Sequence, residues 1–316
     1  MRKSRIISAL LCVGFLIICI TGCGASADYV TMDEEAGTVG DANDDPEIPE
    51  EEDADEPIVA DGSAEEKDET AEEEITFEGL GLSILGDSIS TYDGYIPEGF
   101  AVFYPLGGEV TDVSQTWWMR LLEDTGMELC SNDSSSGSTC VGDSLSLDDP
   151  KYGCSGYRIS LIAGKQGKMP DVIIVYMGTN DLLIGVPLGD NDGTKLVDEG
   201  MVENFSDAYT LILDGLESNY PAAQIYCCTL APVGDWGTDS PFVIFTNYLG
   251  LTAEDYSKRI QIIADNRGIP VIDLYHCGVE IDNLHEMTTD GVHMTPAGME
   301  CVERAVLSSM GITPDE

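Results

Sequence analysis

The chain has 316 residues, 43% of them hydrophobic, which is room for one large domain with its own core plus accessory segments. Its formal net charge of −45 argues against nucleic acid and anionic lipid as ligands, because both repel a strongly acidic protein.

Residues 1–22 read as an export signal: Arg2, Lys3 and Arg5 precede an uncharged run from Ile6 to Ile20, then Thr21-Gly22. The apolar run is short for a stable membrane span. Ile20-Thr21-Gly22-Cys23 resembles the bacterial lipobox, in which the signal is cut before the cysteine and the thiol is acylated. The expected product is an exported lipoprotein that begins at Cys23 and is held by its lipid on the outer face of the cell membrane. Residues 23–75 are densely acidic with Lys67 as their only basic residue. So little apolar surface cannot offset the entropy of ordering, so this segment is expected to be an extended, solvated tether.

Residues 76–316 carry the signals of one α/β domain. Strands are expected at Leu82–Leu85, Met127–Ser131, Val172–Met177, Gln224–Leu230 and Val271–Leu274, several of them apolar on both faces. Such runs suit a parallel sheet covered by helices on both sides. Between them a helix is expected from Ser114 to Gly126 and another over Val202–Asn219. Thr252 with Asp255 opens a third that Gly268 stops, and Thr295-Pro296 opens the last. The alternation predicts a doubly wound sheet with helices on both faces. Of the adjacent Trp117 and Trp118, at least one is expected in the core.

After removal of Cys12 and Cys19 with the signal and lipidation of Cys23, seven cysteines remain, an odd number that cannot all pair. Export permits disulfides, and Cys130, Cys140 and Cys154 are close enough in sequence for one bridge among them. Cys227 and Cys228 lie in an apolar strand and read as buried small hydrophobes. The cysteines show no Cys-x-x-Cys, and the histidines His276, His285 and His293 show no His-x-x-x-His. No metal and no cofactor are expected.

In open α/β sheets ligands bind beyond the carboxyl ends of the strands. The residues there are Gly86-Asp87-Ser88, Asn132 to Gly137, Gly178-Thr179-Asn180-Asp181, Ala231-Pro232 and the segment leading to Asp290 and His293. A serine hydroxyl is a weak nucleophile that needs a base, and the base needs a group to orient it. Ser88, His293 and Asp290 fit those roles, because Asp290 stands three residues before His293 and one turn of chain brings its carboxylate to Nδ1. Oxyanion donors are available in the Ser88 and Gly137 backbone N–H groups and the Asn180 side-chain amide. Asp87 reads as holding the turn. His276 and His285 have no carboxylate at such an offset within these blocks, and the loop from Phe242 to Tyr248 is placed to touch substrate.

Four segments together, Leu85-Gly86-Asp87-Ser88, Asn132 to Ser138, Gly178-Thr179-Asn180-Asp181 and Asp290-Gly291-Val292-His293, resemble the four blocks of the SGNH, or GDSL, hydrolase family. The resemblance implies a flavodoxin-like three-layer α/β/α sandwich with a mainly parallel five-stranded sheet. It also implies Ser88 as nucleophile, Asp290 and His293 as its partners, and Ser88, Gly137 and Asn180 as the oxyanion hole. Two departures stand out: Ile89 replaces the family's leucine, and the loop from Tyr92 to Pro105 is longer than a minimal member needs and is expected to shape the substrate side of the pocket. The expectation is a monomeric esterase acting on an acylated carbohydrate or other small ester. An O-acyltransferase using the same residues and an inactive surface binding lipoprotein are the competing readings.

Overall fold

The computed structural model describes residues 76–235 and 243–313. The expected signal, Cys23 and the acidic tether, as well as Phe242, lie outside the described residues.

Seven strands and seven helices follow in chain order: β1 (Gly81–Gly86), α1 (Trp117–Thr125), β2 (Glu128–Ser134), β3 (Gly142–Asp143), α2 (Gly156–Ser160), β4 (Val172–Tyr176), α3 (Thr179–Ile184), β5 (Met201–Val202), α4 (Phe205–Asn219), β6 (Gln224–Cys228), α5 (Ala253–Arg267), β7 (Val271–Ile272), α6 (Leu284–Met287) and α7 (Pro296–Ser309). Five strands form one sheet in the order β2-β1-β4-β6-β7, every pair parallel. The order reverses direction beside β1, as in a doubly wound sheet, so the loops after β1, β2 and β4 meet at one edge.

The continuous apolar strands have the cause expected of them. In β4, Ile173 and Val175 face a core with Tyr209, Ile212 and Leu216 of α4 and Tyr256 and Ile260 of α5. Val172, Ile174 and Tyr176 face the opposite core with Trp117, Trp118 and Leu121 of α1 and Val302 and Val306 of α7. Every residue of β4 is therefore buried, and the layers are α/β/α as predicted. Both tryptophans are fully buried, and their indole N–H groups donate to the Ser90 hydroxyl and the Ser90 carbonyl.

Helix starts follow their capping chemistry. Asp112 caps a short 3-10 turn at Val113–Gln115, so the α-helix expected from Ser114 begins only at Trp117, capped by Thr116. The helix expected from Val202 begins at Phe205, because the Asn204 side chain accepts the Asp207 N–H while Met201–Val202 pairs with Gly142–Asp143 in a two-stranded antiparallel ribbon. Thr252 with Asp255 forms a capping box, and Thr295 caps α7 with Pro296 in its first turn. All seven cysteines of the described residues are free thiols; Cys227 and Cys228 are buried on opposite faces of β6.

Glu303 of α7 is only 4% exposed. Burial and the neighbouring Asp124 carboxyl push it from 4.5 up to about 7, against the pull of Arg120. A carboxyl whose folded value is raised binds its proton more tightly in the folded than in the unfolded state. That stabilisation is complete below the unfolded value and is lost as pH rises through about 7. Glu303→Gln is therefore expected to match the native protein near pH 5 and to exceed its stability at pH 8 by on the order of 1–3 kcal/mol, read by urea unfolding at the two pH values.

Candidate active site

The turn after β1 is built by its own side chains. Asp87 caps the 3-10 turn Ser88–Ser90 by accepting the Ile89 N–H at 3.0 Å, the turn-holding role expected of it. Burial pushes its carboxyl up to about 6 against the pull of that N–H and of His293. Ser88 is 5% exposed.

Asp290 shapes its loop before it meets the imidazole. Its Oδ1 accepts the N–H groups of Val292 at 3.1 Å and His293 at 2.8 Å, while the Thr288 hydroxyl accepts the Gly291 N–H at 3.0 Å. The Thr289 N–H donates to the His293 carbonyl at 2.8 Å, which closes the loop. Asp290 Oδ2 is then left 2.7 Å from His293 Nδ1, and His293 Nε2 lies 2.9 Å from Ser88 Oγ. Partial burial works to raise the Asp290 carboxyl, but the hydrogen bonds from the His293 ring and backbone prevail and hold it below the ordinary carboxylate range. An ionised Asp290 assigns the proton to Nδ1, which leaves the Nε2 lone pair facing the serine hydroxyl.

The other side of the site joins β2 and β4. The Ser135 N–H donates to the Gly86 carbonyl at 3.3 Å, which lays the loop after β2 against the Ser88 turn. Gly137 in that loop has φ +78°, a conformation in which a side chain would be strained. In the first turn of α3, the Asn180 side-chain N–H donates to the Ser138 carbonyl at 2.9 Å. Its neighbour Asp181 accepts the N–H groups of Cys140 at 2.8 Å and Val141 at 3.2 Å, and burial pushes that carboxyl up to about 7 against those bonds. Among the described residues no acceptor takes the Ser88 or the Gly137 N–H, and an amide carries two hydrogens, so Asn180 keeps one free.

Two contributors were not anticipated from the sequence. Arg158 of α2 is fully buried. Its Nε lies 2.7 Å from Asp133 Oδ2, and its Nη2 donates to the carbonyls of Asp133 at 2.7 Å and Gly86 at 3.1 Å. One guanidinium thus ties the end of β2 to the residue before the Asp87-Ser88 turn. Burial pushes the Asp133 carboxyl up to about 6 against the attraction of Arg158. Phe103, in the long loop after the turn, stacks on His293 with ring centroids 3.5 Å apart and planes 8° apart.

His276 does have a carboxylate three residues back: Asp273 Oδ2 lies 2.7 Å from its Nδ1. Both side chains are more than half exposed, and among the described residues no hydroxyl faces Nε2, so this second pair lacks a nucleophile. Of the Phe242–Tyr248 loop, Tyr248 is exposed and Phe245 packs against the core.

The turn after β1 supplies a serine and the loop between α6 and α7 supplies an imidazole and a carboxylate, joined in one hydrogen-bonded chain, and with the three-layer α/β/α fold they define a hydrolase class. The chain belongs to the GDSL-like lipase/acylhydrolase family, an ester-hydrolase family whose profile matches residues 80–310. It is similar to a protein described as a GDSL-like lipase from Bacteroides uniformis, at 27% identity and TM-score 0.54 over 74% of this chain and 96% of that one. A Bacteroides ovatus protein of the same description matches at 25% identity and TM-score 0.54, over 74% of this chain and 99% of that one. A Lactobacillus plantarum protein shares the fold at 22% identity and TM-score 0.56, over 75% of this chain and 98% of that one. A search of the curated proteins gave no significant match.

Proposed function

We propose that the protein is a membrane-tethered extracellular serine esterase that removes acetyl or other short acyl groups from carbohydrate. The observation that carries the chemistry is the chain Ser88 Oγ, His293 Nε2, His293 Nδ1, Asp290 Oδ2, with contacts of 2.9 and 2.7 Å. Ser88 Oγ attacks the ester carbonyl as its proton passes to Nε2. The carbonyl oxygen becomes an oxyanion and takes the Ser88 and Gly137 N–H groups and the free Asn180 amide hydrogen. Collapse expels the alcohol, which leaves with the proton from Nε2. Water, deprotonated by the same nitrogen, then releases the acid and restores Ser88. Asp290 stays ionised throughout and compensates the imidazolium.

Support for the extracellular setting is the basic-apolar-small pattern of residues 1–22 with Cys23, and support for a spacer is the acidity of residues 23–75. A domain held outside a cell has acylated polysaccharide within reach, and the chain's net charge of −45 gives it no attraction to an anionic membrane. Acetate release from acetylated xylan and acetylated peptidoglycan, compared with nitrophenyl esters of increasing chain length, tests the substrate class. The expected result is the highest kcat/KM on acetyl esters. A steady rise in kcat/KM with acyl length would replace this reading with a lipase. Acyl transfer to added glycan in place of acetate release would replace it with an O-acyltransferase.

A further inference from the structure

The esterase mechanism uses two edges of the imidazole and leaves its faces unexplained. One of them is covered by Phe103, parallel to the ring at 3.5 Å, and Tyr104 stands edge-on at 6.5 Å with its hydroxyl on the Met294 carbonyl. The Phe103 backbone is tied to the nucleophile turn through a single hydroxyl: Thr91 Oγ1 accepts the Phe103 N–H at 3.0 Å and donates to the Ser88 carbonyl at 2.9 Å. The far end of the phenyl ring rests on Gly107, where an added Cβ would stand 2.7–3.0 Å from three ring atoms. Gly107 also donates its N–H to the Phe103 carbonyl at 2.7 Å. The ring is therefore seated by contacts that do not depend on His293.

We infer that Phe103 is a positioning residue for His293. Its ring sets the plane of the imidazole, so that Nε2 meets Ser88 Oγ and Nδ1 meets Asp290 Oδ2 at once, and Thr91 keeps that plane in register with the nucleophile. Two hydrogen bonds from opposite edges fix an imidazole along one axis but leave it free to rock about that axis, and a flat surface at van der Waals distance removes the rocking. The electron-rich face also favours the imidazolium that forms as Ser88 attacks. The inference rests on the Ser–His–Asp reading of the site.

The test uses the full-length protein and Phe103→Leu, which keeps most of the volume but has no flat face. Phe103 is only half-buried, so the variant is expected to fold. A second variant, Gly107→Ala, keeps the phenyl ring and pushes it. The first readout is the kcat and KM split on a nitrophenyl ester. The second is the low-field Nδ1–H proton resonance of His293, assigned by its loss in His293→Asn. Phe103→Leu is expected to lower kcat about 10- to 100-fold, the order expected for misplacing a reacting group, with KM unchanged and the Nδ1–H resonance broadened or lost. Gly107→Ala is expected to move both readouts the same way by less. Native kcat with a native resonance in Phe103→Leu would overturn the inference. So would a fall in kcat with the resonance intact, since that is a structural role only. If the native protein hydrolyses no ester, the esterase reading fails, and the resonance alone then decides whether Phe103 holds His293.

Discussion

Ser88→Ala and His293→Ala are each expected to lower kcat for ester hydrolysis by about 10⁶-fold, and the double variant by no more than either alone. The reason is that the two groups act as a unit. A hydroxyl without a base and a base without a hydroxyl are equally inert, and the 2.9 Å contact between Oγ and Nε2 is the path for the proton that the described residues offer. Asp290→Asn is expected to cost about 10⁴-fold, because an amide in place of the carboxylate can present its N–H to Nδ1 and stabilise the wrong tautomer. Asn180→Ala removes one of the three proposed oxyanion donors and is expected to cost about 10²–10³-fold. Steady-state kinetics on one nitrophenyl ester orders the four single variants and the double, and an unchanged unfolding midpoint for Ser88→Ala assigns its loss to chemistry. An Asn180→Ala loss as large as that of Ser88→Ala would contradict the division of roles.

The second large effect concerns folding. Asp133→Asn leaves the Arg158 guanidinium fully buried without its ion-pair partner, and breaking a buried pair by removing one partner costs about 3–5 kcal/mol. Arg158→Met is expected to be comparably destabilised at pH 8 but to recover part of the loss at pH 5. Burial already pushes the Asp133 carboxyl up to about 6 against the pull of the arginine, and without the arginine that upward push is unopposed. The lone carboxyl then takes up a proton and ceases to be a buried charge. The sign follows from linkage: a raised folded value gives stability that is present at low pH and lost as pH rises. Asp133→Asn has no such escape and is expected to show no recovery. Urea unfolding of both variants at the two pH values separates the cases. Arg158 also holds the Gly86 carbonyl, so whatever folded Arg158→Met protein remains is expected to show lower kcat as well.

The parts of this molecule that could be read from its sequence are those written locally. Strand cores showed as continuous apolar runs because both faces of β4 are covered. Two helix starts showed through Thr252 with Asp255 and through Thr295-Pro296, which form the capping box of α5 and the cap of α7, whereas the Thr116 cap of α1 was hidden behind the 3-10 turn that Asp112 opens. The Asp290–His293 pair showed as a three-residue offset, because one carboxylate both turns the loop and reaches the ring. Phe103 was invisible because its partner is remote in sequence and its own setting, a loop rich in aromatic residues and glycine, has no periodicity. Arg158 was hidden for a different reason: a single arginine in a five-residue helix reads as a solvated side chain, and only the fold shows that Asp133, Gly86 and Pro150 surround it. The late start of α4 came from tertiary pairing, since Met201–Val202 is drawn into a ribbon with Gly142–Asp143. His276 carried the same offset to an aspartate as His293, and only exposure and the lack of a facing hydroxyl separate the two.

The proposed catalytic cycle depends on an activated Ser88. Its most direct test is to treat the native protein and Ser88→Ala with a fluorophosphonate and map the adduct by peptide mass spectrometry. One phosphonylated residue, Ser88, is expected in the native protein and no adduct in the variant. A folded native protein that stays unlabelled, or an adduct on a different serine, would contradict it.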